Sequence, residues 1–199
     1  MTHLERQLND ILSAKDLLQH PFYQAWSNGT LPADKLRVYA REYGTFIELI
    51  EAGWHACHER EIAAVEAEHY ELWKGFSGSL GNETIEATIN EVKGLTGTCE
   101  KHFSDYASSL GALYAFEAQQ PATATSKLKG LRDHYVGLQA DETYFKVHVD
   151  DEEEPALILQ KMEALPQEDQ DRAVAACREV ADQLWNALSG IMDAEMAVA

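Results

Sequence analysis

The chain has 199 residues, 45% of them hydrophobic, which is enough for one folded unit with a substantial core. Its 34 acidic residues against 16 basic ones give a formal charge of −18, which argues against nucleic acid and anionic membrane surfaces as partners. Cys57, Cys99 and Cys177 form no CxxC or zinc-type spacing, and no apolar run approaches the roughly 20 residues of a membrane span or forms a signal core, so a soluble protein of the reducing cytoplasm is expected.

In chain order, Leu4, Leu8, Ile11, Leu12 and Leu18 form a helical stripe that His20-Pro21 ends. A short helix over FYQAW follows, and Asn28-Gly29 supplies the next turn. Pro32 sits at a favourable first-turn position for a long helix in which Leu36, Tyr39, Tyr43, Phe46, Ile47 and Ile50 recur at three and four and run on into Trp54. Another helix shows Ile62, Val65, His69, Leu72, Trp73, Phe76 and Leu80 on one face before Gly81-Asn82 stops it. Residues 83–97 are weakly patterned and read as a helix ending at Gly94 and Gly97, with a new one from about Thr98 to Gln119. Pro121 opens the next, through Lys127, Leu128, Leu131 and Tyr135. Asp141 is placed to cap a helix bearing Tyr144, Phe145, His148 and Glu152, and Pro155 predicts a kink or stop in it. Beyond Leu165-Pro166, Ala173, Cys177, Val180, Leu184, Leu188 and Ile191, flanked by Val174, Ala181, Trp185 and Met192, predict a long helix with a wide buried stripe. No stretch alternates as a strand does, and no repeat or linker divides the chain. The expected architecture is an all-α bundle of seven or eight helices forming one domain over residues 1–199.

Chemistry concentrates between Leu110 and Glu154. Glu117 lies in an apolar-aromatic run with Leu113, Tyr114 and Phe116. His148 and Glu152, four apart, share one helical face, and Asp151, three from His148, is placed to join them. Upstream, Glu66 and His69 form a Glu-x-x-His pair directed with bulky apolar residues, and a polar pair on an apolar face needs a partner. A carboxylate facing histidine-carboxylate pairs on neighbouring helices is how helical bundles hold iron or manganese. The competing expectation is a private hydrogen bond for each of Glu117 and His148, with a solvated acidic face over 150–154.

Four blocks, HPFYQAWSNGTLPADKLRVYAREY, EHYELWKGFSGSLG, ALYAFEAQQPATATSKLKGL and YFKVH, resemble the superfamily of the thiaminase-like TenA proteins and the pyrroloquinoline-quinone synthase PqqC, which share the heme-oxygenase fold. Within it the chain is most similar to the heme-oxygenase-like di-iron oxidases, including the chlamydial protein associating with death domains and its relatives. The resemblance covers nearly the whole chain and implies metal ligands at His69, Glu117 and His148. The family's ligand helix continues His-x3-Asp-x2-His; here Glu152 stands at the first of those positions and Pro155, which cannot ligate, at the second. The family also takes a glutamate seven residues before the histidine matched by His69, and that position here is Ile62.

Glu66 is expected to take over the missing role, so the ligand set becomes Glu66, His69, Glu117, His148 and Glu152, with Asp151 in reserve. Mixed imidazole and carboxylate ligands with open positions suit iron, or manganese, that must bind oxygen. In the branch tied to 4-aminobenzoate formation, two tyrosines and a lysine near the metal are implicated in a reaction that consumes the protein's own side chain. The matching positions are Tyr23, Tyr39 and Lys127, and for the tyrosines simple helix packing with a hydrogen-bonded hydroxyl is the alternative.

The function expected is that of an oxygen-activating non-heme iron oxidoreductase, with one or two ions, acting on a small molecule and O2 in cofactor or 4-aminobenzoate biosynthesis. The alternative is a member of the same fold that has lost part of its metal site and binds a small ligand or partner, which Ile62 and Pro155 support. Thiaminase-type hydrolysis needs a cysteine nucleophile, and neither Cys57 nor Cys99 lies in a block that matches one. A homodimer is the expected assembly, since dimers are common in this fold.

Overall fold

Local signals start most of the helices. In the computed structural model, which describes residues 1–195, Thr2 and Glu5 close a reciprocal capping box on α1 (His3–Ala14). A 3-10 turn over Leu17–Gln19 leads to α2 (Pro21–Ser27), with Pro21 in the first turn and the His20 ring accepting the Phe22 N–H. There follow α3 (Ala33–Ile47), α4 (Ile50–Ala56), α5 (Arg60–Ser79), α6 (Asn90–His102), α7 (Tyr106–Glu117), α8 (Gln120–His134), a 3-10 turn over Val136–Leu138, α9 (Thr143–Val147), α10 (Glu153–Glu163) and α11 (Gln167–Asp193). No strand occurs among the described residues, and the all-helical expectation holds.

Three boundaries differ from expectation: two helices expected whole are interrupted, and one break lies elsewhere. α3 and α4 were expected as one; the chain tightens at Glu48 and Leu49, where the Leu49 N–H bonds the carbonyl of Phe46, three residues back. The helix expected from Thr98 to Gln119 divides elsewhere. α6 runs through Gly94 and Gly97 to His102, and the break falls at 103–105, where the Asp105 carboxylate accepts the Ser108 N–H at 2.9 Å and starts α7. The third boundary separates His148 from Glu152. α9 ends at Val147, residues 148–150 turn, and α10 begins at Glu153. Pro155 therefore sits in the first turn of a new helix, where its missing N–H costs nothing, instead of stopping an old one.

α7 is the centre. Apolar all round, it buries every residue from Ser109 to Glu117, as a helix with neighbours on all sides must. Its closest neighbour is α11, 27 residues and about 40 Å long. A Cβ added at Gly111 would lie 1.8 Å from the Ala173 carbonyl oxygen, so only glycine lets the two backbones approach this closely. α10 and α4 also pack against α7, α5 packs in turn against α4 and α3, and the buried apolar side chains form one continuous cluster from Leu4 to Ile191. α5 turns Ala63, Glu66, Trp73 and Phe76 inward, leaves Val65 exposed against expectation, and is followed by Gly81 at φ +91°.

Candidate metal centre

α5 delivers Glu66 and His69, three residues apart, to one face, with His69 Nδ1 3.0 Å from Glu66 Oε1. His148 caps the C-terminus of α9 and is 2% exposed. Its Nδ1 lies 2.6 Å from the Tyr144 carbonyl oxygen, which only accepts, so Nδ1 carries the proton and Nε2 presents its lone pair. The two imidazoles meet at 4.4 Å between centroids and 65°. One ligand atom from each of Glu66, His69 and His148 lies within 4.8 Å of the others. A shared ion with bonds of about 2.1 Å holds its ligands no more than about 4.2 Å apart, so small side-chain shifts complete this trio around a cation.

Three more carboxylates face it. Glu117, in the last turn of α7, is 3% exposed, and its Oε1 is buried with no hydrogen-bond partner. Burial, then the charges of Glu154, Glu66 and Asp151, push its carboxyl well above the usual range. The Trp54 indole N–H beside it pulls the other way without reaching hydrogen-bond geometry. Glu154 Oε2 is likewise buried and unpartnered, and burial with the charges of Glu66 and Asp151 raises that carboxyl to about 8. Burial and Glu66 also raise Asp151. Of the imidazoles, burial holds His148 neutral, down to about 3, whereas for His69 burial is outweighed by the Glu66 hydrogen bond together with the charges of Glu66, Asp151 and Glu68, and the net shift is upward.

Glu152 is the departure. It is exposed and precedes the first residue of α10, so the helical face it was expected to share with His148 does not exist. Glu154 points inward in its place, one and two turns before the fully buried Ile158 and Met162. That spacing of four was the signal in the sequence. Pro155 read as a helix start would have restarted the count at Glu153 and set Glu154 on the inner stripe.

Buried acids without partners are costly as anions, and a divalent cation satisfies them. The donor set of two imidazoles and several carboxylates fits iron or manganese, and no described cysteine belongs to it. Beside the carboxylates opens a pocket of about 340 Å³ lined by Ile62, Asp151, Glu153, Glu154 and Leu157. A more capacious pocket, about 790 Å³ between α6 and α11, contains none of these groups.

An aromatic layer continues from His148 into the core. Tyr144 packs on His148 at 4.3 Å, Trp73 on Tyr144 at 4.8 Å, and Tyr39 and Tyr43 on Trp73 at 5.6 and 5.9 Å. Lys127, from α8, is 2% exposed, with Nζ 5.4 Å from the Tyr23 ring centre, 5.8 Å from Tyr39 and 5.4 Å from Phe145. Burial lowers this amine to about 7. The Tyr39 hydroxyl is buried beside that of Tyr23 without reaching full hydrogen-bond geometry. Tyr23, Tyr39 and Lys127 thus share one cluster, joined to the imidazoles through Trp73 and Tyr144. Cys57 and Cys99 are buried, and burial pushes the Cys57 thiol to about 12 and Cys99 upward, the opposite of an activated nucleophile.

No protein-family model matches the chain. The 4-aminobenzoate synthase of Nitrosomonas europaea is 30% identical over 223 aligned positions, taking in 94% of this chain and 90% of that protein. Those of Chlamydia muridarum and Chlamydia pneumoniae are 29% and 28% identical, covering 94% and 96% of this chain and 89% and 93% of theirs. Among solved structures, a TenA homologue from Pseudomonas syringae pv. tomato matches with a TM-score of 0.78 at 14% identity, over 96% of this chain and 93% of its own. A domain with a heme oxygenase-like fold from Shewanella denitrificans matches with a TM-score of 0.74 at 14% identity, over 94% of this chain and 88% of its own. These two fix the fold; the sequence identity over nearly the full length of both chains does more, and the chain belongs to the family of the 4-aminobenzoate synthases, on the heme-oxygenase-like fold it shares with the TenA proteins.

Proposed function

We propose that the protein is a non-heme iron, oxygen-activating oxidoreductase that acts on a small molecule in 4-aminobenzoate formation. The observation that carries the reading is the pair of buried, unpartnered carboxylate oxygens of Glu117 and Glu154 turned toward Glu66, His69 and His148. Iron bound there, as one ion or two and with manganese as the alternative, supplies the redox chemistry with O2. His148 gives Nε2 because its Nδ1 is anchored on Tyr144, and Glu66 both donates an oxygen and orients His69. Tyr23, Tyr39 and Lys127 form the reacting pocket. An amine lowered to about 7 is substantially unprotonated at neutral pH, so Lys127 holds a free lone pair against two phenol rings. The continuous core supports one catalytic domain over the chain, and the three free cysteines suit a cytoplasmic setting, with a homodimer as the working assembly.

The test is elemental analysis of the protein as purified and after anaerobic incubation with Fe(II) and desalting, followed by assay of 4-aminobenzoate on admitting air. One to two tightly held irons, an oxygen-dependent absorption band and loss of loading in His148→Ala are expected. Iron at background in both samples, or loading that survives His148→Ala, overturns the reading.

A further inference from the structure

Two buried glutamines follow Glu117 at the joint between α7 and α8, and they bond differently. Gln119 engages backbone alone: its Oε1 accepts the Leu17 N–H and its Nε2 donates to the Ala115 carbonyl, both at 3.0 Å. Gln120, 2% exposed, reaches across to α9, where its Nε2 donates to the Tyr144 hydroxyl oxygen at 2.9 Å. A buried amide is costly without such a partner. Tyr144 in turn holds His148 twice: its carbonyl accepts the Nδ1–H at 2.6 Å, and its ring packs on the imidazole at 4.3 Å. α9 is five residues long, too short to keep its place by its own hydrogen bonds, so tertiary contacts decide where the His148 at its C-terminus sits. Asp141 pins the other end by accepting the Thr143 N–H at 2.9 Å. Trp73 packs on the Tyr144 ring at 4.8 Å, a contact that tolerates sliding; a hydrogen bond to an amide in the first turn of α8 does not.

We propose that Gln120 is a positioning residue of the metal centre: its amide holds the Tyr144 hydroxyl, and Tyr144 holds the imidazole of His148 against the Glu66–His69 pair. The inference rests on the proposed metal-dependent function and adds to it how the α9 ligand is placed. Gln120 touches neither the ion nor its ligands and acts through Tyr144 alone. It lies three residues after Glu117, so one joint carries both a buried carboxylate of the site and the brace of its α9 imidazole. Loss of the amide frees the Tyr144 ring to slide and its carbonyl to move with it, and Nε2 of His148 then no longer presents its lone pair in a fixed direction. Gln119, beside it in the chain and equally engaged in hydrogen bonds, has no such route to an imidazole.

The experiment compares the full chain with Gln120→Met, Tyr144→Phe, the double variant and Gln119→Met, by equilibrium dialysis against Mn(II) and by the proton signal of the His148 Nδ1–H in the metal-free protein, identified by its absence from His148→Ala. Gln120→Met is expected to weaken Mn(II) binding about tenfold, and Tyr144→Phe by a similar factor. The double variant is expected to be no weaker than the singles, because both remove one bond. Gln119→Met is expected to melt earlier and bind Mn(II) as wild type does. The Nδ1–H signal is expected to be sharp in wild type and Gln119→Met, and broadened by exchange with water in Gln120→Met. Thermal melts establish folding, and if Gln120→Met does not fold, Tyr144→Phe carries the same expectations. Unchanged affinity in Gln120→Met, a double variant weaker by about a hundredfold, or an equal loss in Gln119→Met overturns the assignment. Wild type that binds no Mn(II) and no Fe(II) defeats the metal-dependent function, and the Nδ1–H signal then decides the placement of His148 by itself: a sharp signal in Gln120→Met overturns it, and a broadened one upholds it.

Discussion

Lys127 shows how residue-scale energies decide a protonation state. Three aromatic faces within 6 Å attract an ammonium, each by about 0.5–2 kcal/mol. Removal from water opposes them and wins, since a fall from 10.5 to about 7 is worth roughly 5 kcal/mol at this depth of burial. The sign of its effect on stability follows. The unfolded chain binds the proton more tightly between pH 7 and 10.5, so the stability withheld by Lys127 at low pH is recovered as pH rises across that window. Lys127→Met, of similar length and uncharged, is therefore expected to be more stable than wild type by about 2 kcal/mol at pH 6, with most of the advantage gone near pH 10. Urea unfolding at the two pH values measures this, and a difference independent of pH would place Lys127 in a far more polar setting than the one described.

At the scale of elements, the position of Glu117 depends on how deeply α7 sits against α11. Gly111→Ala drives a methyl into the Ala173 carbonyl, and backbone, unlike the end of a flexible side chain, has little room to yield. A loss of about 3 kcal/mol or more is expected, together with weaker iron binding as the Glu117 end of the helix shifts. Thermal melts and dialysis check both, and a variant as stable as wild type would show that the helices separate easily. This contact also marks what the sequence could disclose. α5, α8 and α11 are legible because each keeps a polar face, so the apolar residues carry a period; α7 is apolar all round and has none to read. The Glu-x-x-His pair on α5 stands out as two polar residues on a buried face. The α9 to α10 interruption does not, since residues 148–152 contain no glycine or proline and the one nearby proline lies beyond the break it helps to define. Counting straight through sets Glu152 beside His148, whereas the restart at Glu153 selects Glu154.

Over the whole molecule, a chain of formal charge −18 gathers cations, and salt screens that general attraction beyond about 10 Å. The buried carboxylates respond differently, because their protons and a metal ion compete for the same oxygens. Glu154 titrates near 8 in the folded protein against 4.5 when unfolded, so the folded state holds the extra proton between those values. Its contribution to stability is complete below pH 4.5 and is lost as pH rises through 8. Comparison of wild type with Glu154→Gln isolates this contribution from His148, His20 and Lys127, whose values are lowered and whose slopes have the opposite sign. Metal-free wild type is expected to lose about 2 kcal/mol relative to Glu154→Gln between pH 5 and pH 8, a shift of several degrees in melting temperature. Mn(II) at a hundred times its pH 6 dissociation constant stabilises the fold by about 3 kcal/mol at pH 6, and the same concentration does so by more at pH 8, because fewer protons have to leave. Melting curves at both pH values, with and without Mn(II), provide the measurement. An equal Mn(II) shift at pH 6 and pH 8, matched by Glu154→Gln, would assign the binding to the acidic surface and away from the buried carboxylates.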